Sequence, residues 1–520
     1  MLRYDTAVLN GTVVVPYVGA VRCDVGIRAG RIAALVDSIA PGDADAVVDA
    51  RGKLVLPGAI DSHFHIGIYR DLATDARSET ASALAGGVTT VLSYFRTGQN
   101  YLNKSGLYRT IFPEVVAATV GHTHTDFGYH IGVMTTEQLG EVDWLVGEQG
   151  VGSFKYYMFY KGLNLTSDST RGSAYTMADT YDLGHLYLLM RQVAAAAGKY
   201  GAHGRVSLSL HCEQAELIRV FIEEVKRSGP GGLEGYHRAR PPLTEQLSIA
   251  EALVLTDATR CPVNLLHLSS AEAVTSGADG RRRHPHLDIR LETTLHHLAL
   301  THATAGGIVG KVNPPIRTEV DREALWQAVQ DGRIDTVVSD HACCAEEDKG
   351  EDLWKALPGF GGTALLLSLS HLRRASAARP ALDAGGGTGQ RQPRPGFRSL
   401  SAQGHGRGWR RRRPGRPRSR SRARCLARGS PLGPGLHAVR RHAGSRLADP
   451  YAPAGTHGVP RRRRDGRAAG AVRQASDRTL RYFGLSGARS RGLGVRLSAT
   501  PWRERHVAAG MPCDTRSSRA

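Results

Sequence analysis

The segment PGAIDSHFH at residues 57–65 contains two histidines separated by a single residue. Residues two apart on an extended strand point to the same side, so the imidazoles of His63 and His65 can chelate one metal ion. A second such pair, His122 and His124, precedes a strand-like run instead of ending it, and we interpret it as loop. The first pair therefore predicts part of a metal site.

Residues of metal-ligand type also end four other strand-like runs, namely Lys155, His211, His267 and Asp340. Taken singly, a histidine or lysine at a strand end is more typical of a structural hydrogen bond or salt bridge. Reactive residues of a (β/α)₈ barrel cluster at the C-terminal ends of its strands. Six ligand-type residues on five strands therefore predict one shared metal site.

Eight strand-like runs alternate with helical stretches from residue 53 onward, which is the pattern of a parallel sheet. The predicted strands are 54–60, 88–94, 129–133, 152–157, 206–210, 263–268, 287–291 and 336–339. Helices with apolar residues near the 3.6 period are predicted at 177–197, 213–227, 245–257 and 322–330. We predict an α/β fold, a (β/α)₈ TIM-type barrel over residues 53–372. The alternative is a doubly wound open sheet, but no glycine-rich phosphate turn follows the first strand.

Residues 1–52 are predicted to form a small β-sandwich-like module ahead of the barrel. The runs 7–9 and 12–15 flank the pair Asn10-Gly11, which is a frequent two-residue hairpin turn. We therefore predict that these two runs pair as a hairpin, which the strand-like runs 23–27 and 31–36 continue.

The net charge of +20 is divided unevenly along the 520 residues. Residues 373–520 contain 35 arginines, six acidic residues and no Lys, Asn or Ile, so this tail carries +29 and the preceding residues −9. Lys, Asn and Ile share AT-rich codons, and we interpret the tail as GC-rich DNA translated out of frame, or as a mostly disordered segment. The rival interpretation is a nucleic-acid-binding tail whose arginines neutralise phosphates, although aromatic residues are scarce there.

Other features argue against a secreted or membrane protein. No signal-peptide pattern opens the chain, and no uninterrupted run of about 20 apolar residues predicts a membrane span. The seven cysteines are scattered and odd in number, which is typical of reduced thiols. We expect a cytoplasmic protein.

Five segments together resemble the cyclic-amide hydrolases of the amidohydrolase superfamily, the hydantoinase and dihydropyrimidinase group. They are PGAIDSHFH, GSFKYYMFY, LHCEQAE, NLLHLSS and VVSDHA, in this order between about residues 50 and 365. The resemblance implies a hydrolase that opens a hydantoin or dihydropyrimidine ring by attack of a metal-bridging hydroxide. It also implies a small cyclic amide as substrate and a homotetramer or homodimer.

The same resemblance implies a set of ligands and cofactors. His63, His65, Lys155 and Asp340 would hold one divalent metal ion, while Lys155, His211 and His267 would hold the other. The metal that the resemblance implies is zinc. Lys155 would be carbamylated, because an ammonium cannot bridge two cations whereas a carbamate offers one oxygen to each. Asp340 would act as general base and then general acid.

Substrate contacts implied by the resemblance are Tyr160, as the donor to the developing oxyanion, and Asn313, whose backbone would bind the ring amide. Hydantoinases usually have serine at the position of Asn313, and an asparagine there is more like the dihydroorotases. Backbone contacts from Gly359 or Phe360 would replace an asparagine-containing family loop. The alternatives are therefore an allantoinase or dihydroorotase, and, from other classes, an inactive scaffold or a nucleic-acid-binding protein acting through its tail.

The late segment with which this family completes its small β module is absent after residue 372. The N-terminal module would then expose apolar edges, and we expect low solubility of the expressed chain.

Overall fold

The computed structural model describes residues 3–16, 18–166 and 172–369. The predictions made for the arginine-rich tail lie outside the described residues. Within them, no helix is both long enough and apolar enough to span a membrane.

Eight parallel strand segments form the central sheet, and each precedes a helical connection. The strands are β8 (Ala59–His65), β9 (Val88–Arg96), β10 (Asp126–Gly132), β11 (Ser153–Tyr157), β12 (Ser207–His211), β13 (Val263–Leu265), β14 (Ile289–Thr294), β15 (Thr336–Val338) and its continuation β16 (His341–Ala342). Strands that are consecutive in the chain lie next to each other in the sheet, and β16 pairs in parallel with β8. Since β15 and β16 belong to one segment, the sheet returns to its first strand, and the predicted TIM-type barrel is confirmed.

Twelve α-helices occur in the described part of the chain. They are α1 (Leu72–Ala85), α2 (Tyr108–Thr119), α3 (Val142–Gly147), α4 (Ser173–Thr176), α5 (Leu183–Tyr200), α6 (Ala215–Ser228), α7 (Gly232–Ala239), α8 (Pro242–Thr259), α9 (Ala271–Arg283), α10 (Leu295–Ala299), α11 (Glu319–Gln330) and α12 (Glu346–Lys349). Most of them pack against the outside of the barrel strands through one continuous apolar core.

Side-chain caps set several helix boundaries. The helix predicted at 177–197 begins only at Leu183, because Met177 and Ala178 have positive φ angles of 54° and 63° and Asp182 caps the helix. In α11, Thr318 and Asp321 form a reciprocal capping box, which moves the start three residues upstream of the predicted one.

The strands between Tyr4 and Val55 form two small sheets. The strands are β1 (Tyr4–Leu9), β2 (Thr12–Val15), β3 (Gly19–Arg22), β4 (Asp24–Arg28), β5 (Arg31–Val36), β6 (Ala44–Asp49) and β7 (Leu54–Val55). One sheet has the order β5-β4-β1-β6 and the other the order β3-β2-β7.

The predicted hairpin across Asn10-Gly11 is wrong. β1 pairs with β4 and β6, whereas β2 pairs with β3 and β7, so the chain crosses from one sheet to the other at this turn. The backbone N–H of Asn10 donates to the Asp24 carboxylate at 2.7 Å. A Cβ at Gly11 would lie 2.6 Å from the Val55 side chain, so the close approach of β7 requires glycine there.

Candidate metal centre and its pocket

A small cavity, about 60 Å³ in volume, opens at the C-terminal ends of the barrel strands. Its walls are formed by His63, His65, Ile68, Tyr69, Tyr101, Lys155, Tyr157, Phe159, Tyr160, Leu165, His211, His267, Val312, Asn313, Asp340, Ala342, Pro358 and Gly359. All six residues predicted as metal ligands and both predicted substrate contacts therefore line the same cavity. Convergence of imidazoles and a carboxylate in one concave site is typical of a metalloenzyme.

The first two histidines lie at the end of β8 and alternate as strand geometry requires. The imidazoles of His63 and His65 lie 5.4 Å apart between ring centroids, on the cavity side. Phe64, between them, points the other way and stacks on His341 at 4.8 Å. The apolar residue of the motif thus anchors the strand, while its two histidines face the cavity.

Asp340 occupies the gap between β15 and β16. One of its carboxylate oxygens lies 3.0 Å from Nε2 of His63 and 3.2 Å from Nε2 of His65. Although burial opposes it, the charge of His63 and the hydrogen bonds from both imidazoles hold the pKa of Asp340 well below its usual range. The carboxyl group is therefore ionised and able to bind a cation.

Lys155 is 1% exposed in β11, and its side chain enters the cavity between two aromatic rings. Its Nζ lies 4.4 Å from the ring centroid of Tyr94 and 4.9 Å from that of Tyr157. Burial lowers the pKa of Lys155 to about 8, and the nearby carboxylates only partly oppose this shift. Because its pKa is lowered, a larger fraction of Lys155 is the neutral, nucleophilic amine than for an exposed lysine.

His211 and His267 pack edge to face at the cavity, with ring centroids 4.2 Å apart and an interplanar angle of 70°. Burial lowers the pKa of His211 to about 4 and that of His267 well below its usual value, so both rings are neutral near pH 7. Within the described residues, the buried Nδ1 of His267 has no hydrogen-bond partner. A buried nitrogen lone pair without a donor is what a metal ligand requires.

The donor set fits a divalent cation. Ligand atoms of His63, His267 and Asp340 lie within 4.8 Å of one another. Two of these residues have left-handed backbones, with φ angles of 36° at His267 and 49° at Asp340. Such conformations are unfavourable for non-glycine residues and concentrate at functional sites. Nitrogen and oxygen donors of this kind suit zinc and similar metals.

Residues behind the imidazoles contact them and set their orientation. These residues were not predicted from the sequence. Glu292 of β14 lies 2.7 Å from Nδ1 of His63, and the hydroxyl of Tyr101 lies 2.6 Å from Nδ1 of His65. Such partners fix the tautomer and the orientation of a ligand. The only signal for Glu292 was an acid directly after the predicted strand 287–291, whereas Tyr101 belongs to an irregular connection.

A third outer contact involves a buried ion pair. Glu213 lies 2.6 Å from Nε2 of His211, and Arg240 donates two hydrogen bonds to Glu213, of 2.8 and 2.7 Å. Glu213 and Arg240 are nearly inaccessible to solvent. The bidentate pair keeps Glu213 ionised, so His211 presents its other nitrogen to the cavity.

Tyr160 follows β11 in a short 3-10 helix and is stacked between two tyrosines. Its ring centroid lies 4.5 Å from that of Tyr157 and 5.0 Å from that of Tyr175. The guanidinium of Arg96 lies 5.4 Å from the same ring. Burial raises the pKa of Tyr160 to about 12 while Arg96 opposes the shift, so the hydroxyl is a neutral hydrogen-bond donor.

Asn313 is held in the cavity wall by two side-chain contacts. Its amide donates to the carbonyl of Leu165 at 3.2 Å, and its carbonyl oxygen accepts from the hydroxyl of Tyr236. Asn313 lines the cavity with its side chain engaged in this way, as does Gly359 from the loop after β16.

Comparison with known proteins gives a consistent picture, although no family model matches the chain. An allantoinase of Desulfitobacterium hafniense (strain Y51) is 30% identical over 362 residues, which cover 69% of this chain and 74% of that protein. An allantoinase of Rubrobacter xylanophilus is 29% identical over 370 residues, covering 71% and 75%.

Solved structures agree with these relatives. The L-hydantoinase (dihydropyrimidinase) from Arthrobacter aurescens superposes with a TM-score of 0.62 and 25% identity, over 73% of this chain and 79% of that one. A D-hydantoinase (dihydropyrimidinase) from Thermus sp. shares the fold, with a TM-score of 0.59 and 24% identity over 72% and 78%. Because its metal-ligand motifs, its barrel and its relatives agree, this chain belongs to the cyclic amidohydrolase family.

Proposed function

We propose that this protein hydrolyses the C–N bond of a small cyclic amide, a hydantoin or dihydropyrimidine ring, with the help of two divalent metal ions. The observation that carries the proposal is the convergence of residues from five strands on one cavity. An inactive scaffold is disfavoured, because a ligand-type residue stands at each of the six positions.

The metal assignment is part of this proposal. His63, His65, Lys155 and Asp340 would hold one ion and Lys155, His211 and His267 the other, with zinc as the metal that the donor set favours. In such sites, divalent cations supply Lewis-acid polarisation of a carbonyl and activation of water.

Lys155 would join the two halves of the site as a carbamate. Its neutral amine adds to carbon dioxide, which forms one N–C bond and releases one proton. The product is an anion with two oxygens where the unmodified side chain would be a cation. The lowered pKa of Lys155, near 8, supports this step because the reacting form is the free amine.

Two side chains would carry out the proton and charge transfers. Asp340 accepts a proton from the attacking water and returns it to the ring nitrogen that leaves, which requires the ionised carboxylate that its depressed pKa provides. Tyr160 donates a hydrogen bond to the oxyanion that develops on the attacked carbonyl. The backbone of Asn313 binds the ring amide and orients it.

The composition of the cavity wall favours an uncharged ring substituent. Ile68, Phe159, Leu165 and Val312 contribute apolar surface. Among the lining residues that the structure describes, Lys155 alone has a cationic side chain apart from the imidazoles. The carboxylate of dihydroorotate would lie against this wall without a cationic partner. Burial of an unpaired charge is unfavourable.

Allantoin is the second candidate substrate, because the relatives reported above are named allantoinases and one is 30% identical. Its ureido group is uncharged and is compatible with the same wall. The choice between allantoin and a hydantoin or dihydropyrimidine depends on hydrogen bonds to the substituent, and it requires measurement. The proposal also includes a reducing, cytoplasmic environment, in line with the free cysteines among the described residues.

The test combines metal analysis of the full chain with hydrolysis of hydantoin, dihydrouracil, allantoin and dihydroorotate. We expect bound divalent metal and ring opening of at least one of the first three compounds, and loss of both the second metal and the activity in Lys155→Ala. Lys199→Ala is the matched control, since Lys199 is exposed and pairs with Asp143 at 2.9 Å on the surface. A metal-loaded protein that opens none of the four rings would contradict the proposal.

A further inference from the structure

Two lysines beside the cavity are buried to an unusual degree. Lys311 is 0% exposed and Lys349 is 4% exposed. Lysine is almost never fully buried, because its ammonium group loses hydration unless protein acceptors replace the water. Neither residue is among the predicted metal ligands or substrate contacts, so their burial needs another explanation.

Backbone carbonyls of a single loop replace the lost water. Lys311 Nζ donates to the carbonyls of Trp354 at 3.1 Å and Ala356 at 2.7 Å, while Lys349 Nζ donates to those of Leu357 at 3.1 Å and Gly359 at 2.8 Å. An ammonium has three donors in a compact head and can gather several carbonyls at one point. Four carbonyls within six residues of irregular chain are thus directed towards two cations.

The same residues join two connections of the barrel. The backbone N–H of Gly359 donates to the carbonyl of Lys311 at 2.9 Å, and Lys349 Nζ lies 3.5 Å from that carbonyl. Lys311 directly precedes Val312 and Asn313, which line the cavity. The loop after β14 and the loop after β16 are therefore connected at the point where both reach the cavity.

The connected segments form one wall of the pocket. Pro358 and Gly359 line the cavity from the later loop. The hydroxyl of Tyr69 adds a further hydrogen bond to the carbonyl of Pro358, at 2.7 Å. The thiol of Cys344 lies 3.6 Å from the carbonyl of Gly359. The two lysines supply three further side-chain hydrogen bonds to the backbone of residues 356–359.

We propose that Lys311 and Lys349 are positioning residues that hold residues 354–360 against residues 311–313 and so set the pocket wall that binds the substrate ring. The assignment of the wall as substrate-binding rests on the proposed function. Its mechanical part, the clamping of the loop by two ammonium groups, does not.

Methionine matches the length of lysine but donates no hydrogen bond, so Lys349→Met leaves the carbonyls of Leu357 and Gly359 without their donor. Lys311→Met does the same to Trp354 and Ala356. Neither change removes a proposed metal ligand or proton carrier.

The first experiment needs no substrate. Hydrogen exchange is followed by peptide in the wild-type full chain, Lys311→Met and Lys349→Met. We expect exchange at residues 311–313 and 354–360 to accelerate by about tenfold or more, while the barrel strands keep their protection. Unchanged exchange in these segments, or an increase spread over the whole barrel, would overturn the proposal, because the lysines would then be ordinary core residues or global stabilisers.

The second experiment uses whichever ring compound the protein opens. A misplaced binding wall is expected to raise KM by about tenfold while kcat changes by less than about threefold and the metal content stays constant. Equal losses of metal and kcat would overturn the role in substrate binding. Lys355→Met is the matched control, because Lys355 lies in the same loop with a 67% exposed side chain and a 3.7 Å ion pair to Asp352. It should leave both measurements unchanged. If no ring is opened, the exchange experiment still decides the clamp.

Discussion

Glu292 Oε1 lies 2.7 Å from Nδ1 of His63, while Nε2 of the same ring faces Asp340 at 3.0 Å. The imidazole is therefore fixed from behind by one carboxylate and directed into the cavity towards another. Because the two acids belong to β14 and to the turn after β15, the orientation of His63 depends on three separate parts of the barrel.

We expect Glu292→Gln to weaken metal binding by about tenfold to a hundredfold, because the amide withdraws a charge that supports the ligand ring. The measurement is zinc competition against a chelator of known affinity. Glu148→Gln, on an exposed residue after α3, should bind zinc as the wild type does. Equal affinity in Glu292→Gln and wild type would show that this carboxylate does not tune the site.

Lys155 allows a direct test of carbamylation. Metal-stripped protein is reloaded with zinc in the presence or absence of bicarbonate labelled with carbon-13. We expect a carbamate signal in the carbon NMR spectrum and higher metal stoichiometry with bicarbonate, since the bridging anion must form before the second ion binds. Lys155→Ala should show neither effect. Metal loading that is independent of bicarbonate and gives no signal would exclude the modification.

The hydroxyl of Tyr160 is expected to act mainly on the rate. Tyr160→Phe keeps the stacking with Tyr157 and Tyr175 but removes the donor, so kcat should fall by about 10²-fold to 10³-fold with little change in KM. Steady-state kinetics on the substrate identified by the hydrolysis panel provide the measurement. Tyr187→Phe, which changes an exposed ring on α5, is the control. A larger KM at constant kcat would instead assign Tyr160 to ground-state binding.

The barrel, and the convergence of six ligand-type side chains on its cavity, could be predicted because each depends on a local pattern. His63 and Asp340 follow strand-like runs and Lys155 lies within one, and the C-terminal ends of parallel strands meet at one face. Local pattern does not indicate which distant side chain meets a ligand ring. Glu292 and Tyr101 therefore emerged only from the coordinates.

Two further features depend on long-range geometry. The burial of Lys349 follows from the direction of carbonyls in a neighbouring loop, which leaves no mark in the sequence. The pair Asn10-Gly11 has the composition of a hairpin turn, yet its conformation connects two sheets because Asp24 and Val55 approach it from other strands. In both cases tertiary contacts override a local preference.

Buried neutral histidines should make metal-free protein sensitive to acid. Burial lowers the pKa of His130 to about 3 and that of His296 to about 4, below the usual value of 6.5. The unfolded chain therefore binds protons first as the pH falls below 6.5, and the free energy of unfolding should decrease by up to about 1.4 kcal/mol per pH unit for each group. Above pH 6.5 neither group contributes a slope.

Urea titration between pH 7 and pH 4, with a chelator present, measures this dependence. His130→Gln should flatten the slope, because its side chain stays neutral in both states. His203→Gln, in an exposed turn after α5, should leave the slope unchanged. Identical slopes in wild type and His130→Gln would show that His130 is protonated in the folded protein or that the unfolded state retains its environment.

The N-terminal sheets leave large apolar side chains in contact with solvent. Ile32 of β5 is 69% exposed, and Val47 and Val48 of β6 are 44% and 51% exposed. Among the residues that the structure describes, these strands are the two edges of the four-stranded sheet. Exposed apolar edges favour association between chains, so we expect concentration-dependent oligomers or aggregates of the full chain.

Charged residues on these edges should suppress this association. Ile32→Lys and Val48→Lys place a lysine on each edge strand, and light scattering coupled to size-exclusion chromatography measures the mass distribution at several concentrations. Val320→Lys is the matched control, because Val320 is 75% exposed but lies on α11, away from the sheets. Suppression by the two edge substitutions and not by the control would assign the association to the sheets. A monodisperse wild-type chain would contradict the expectation, since the exposed edges would then not cause association between chains.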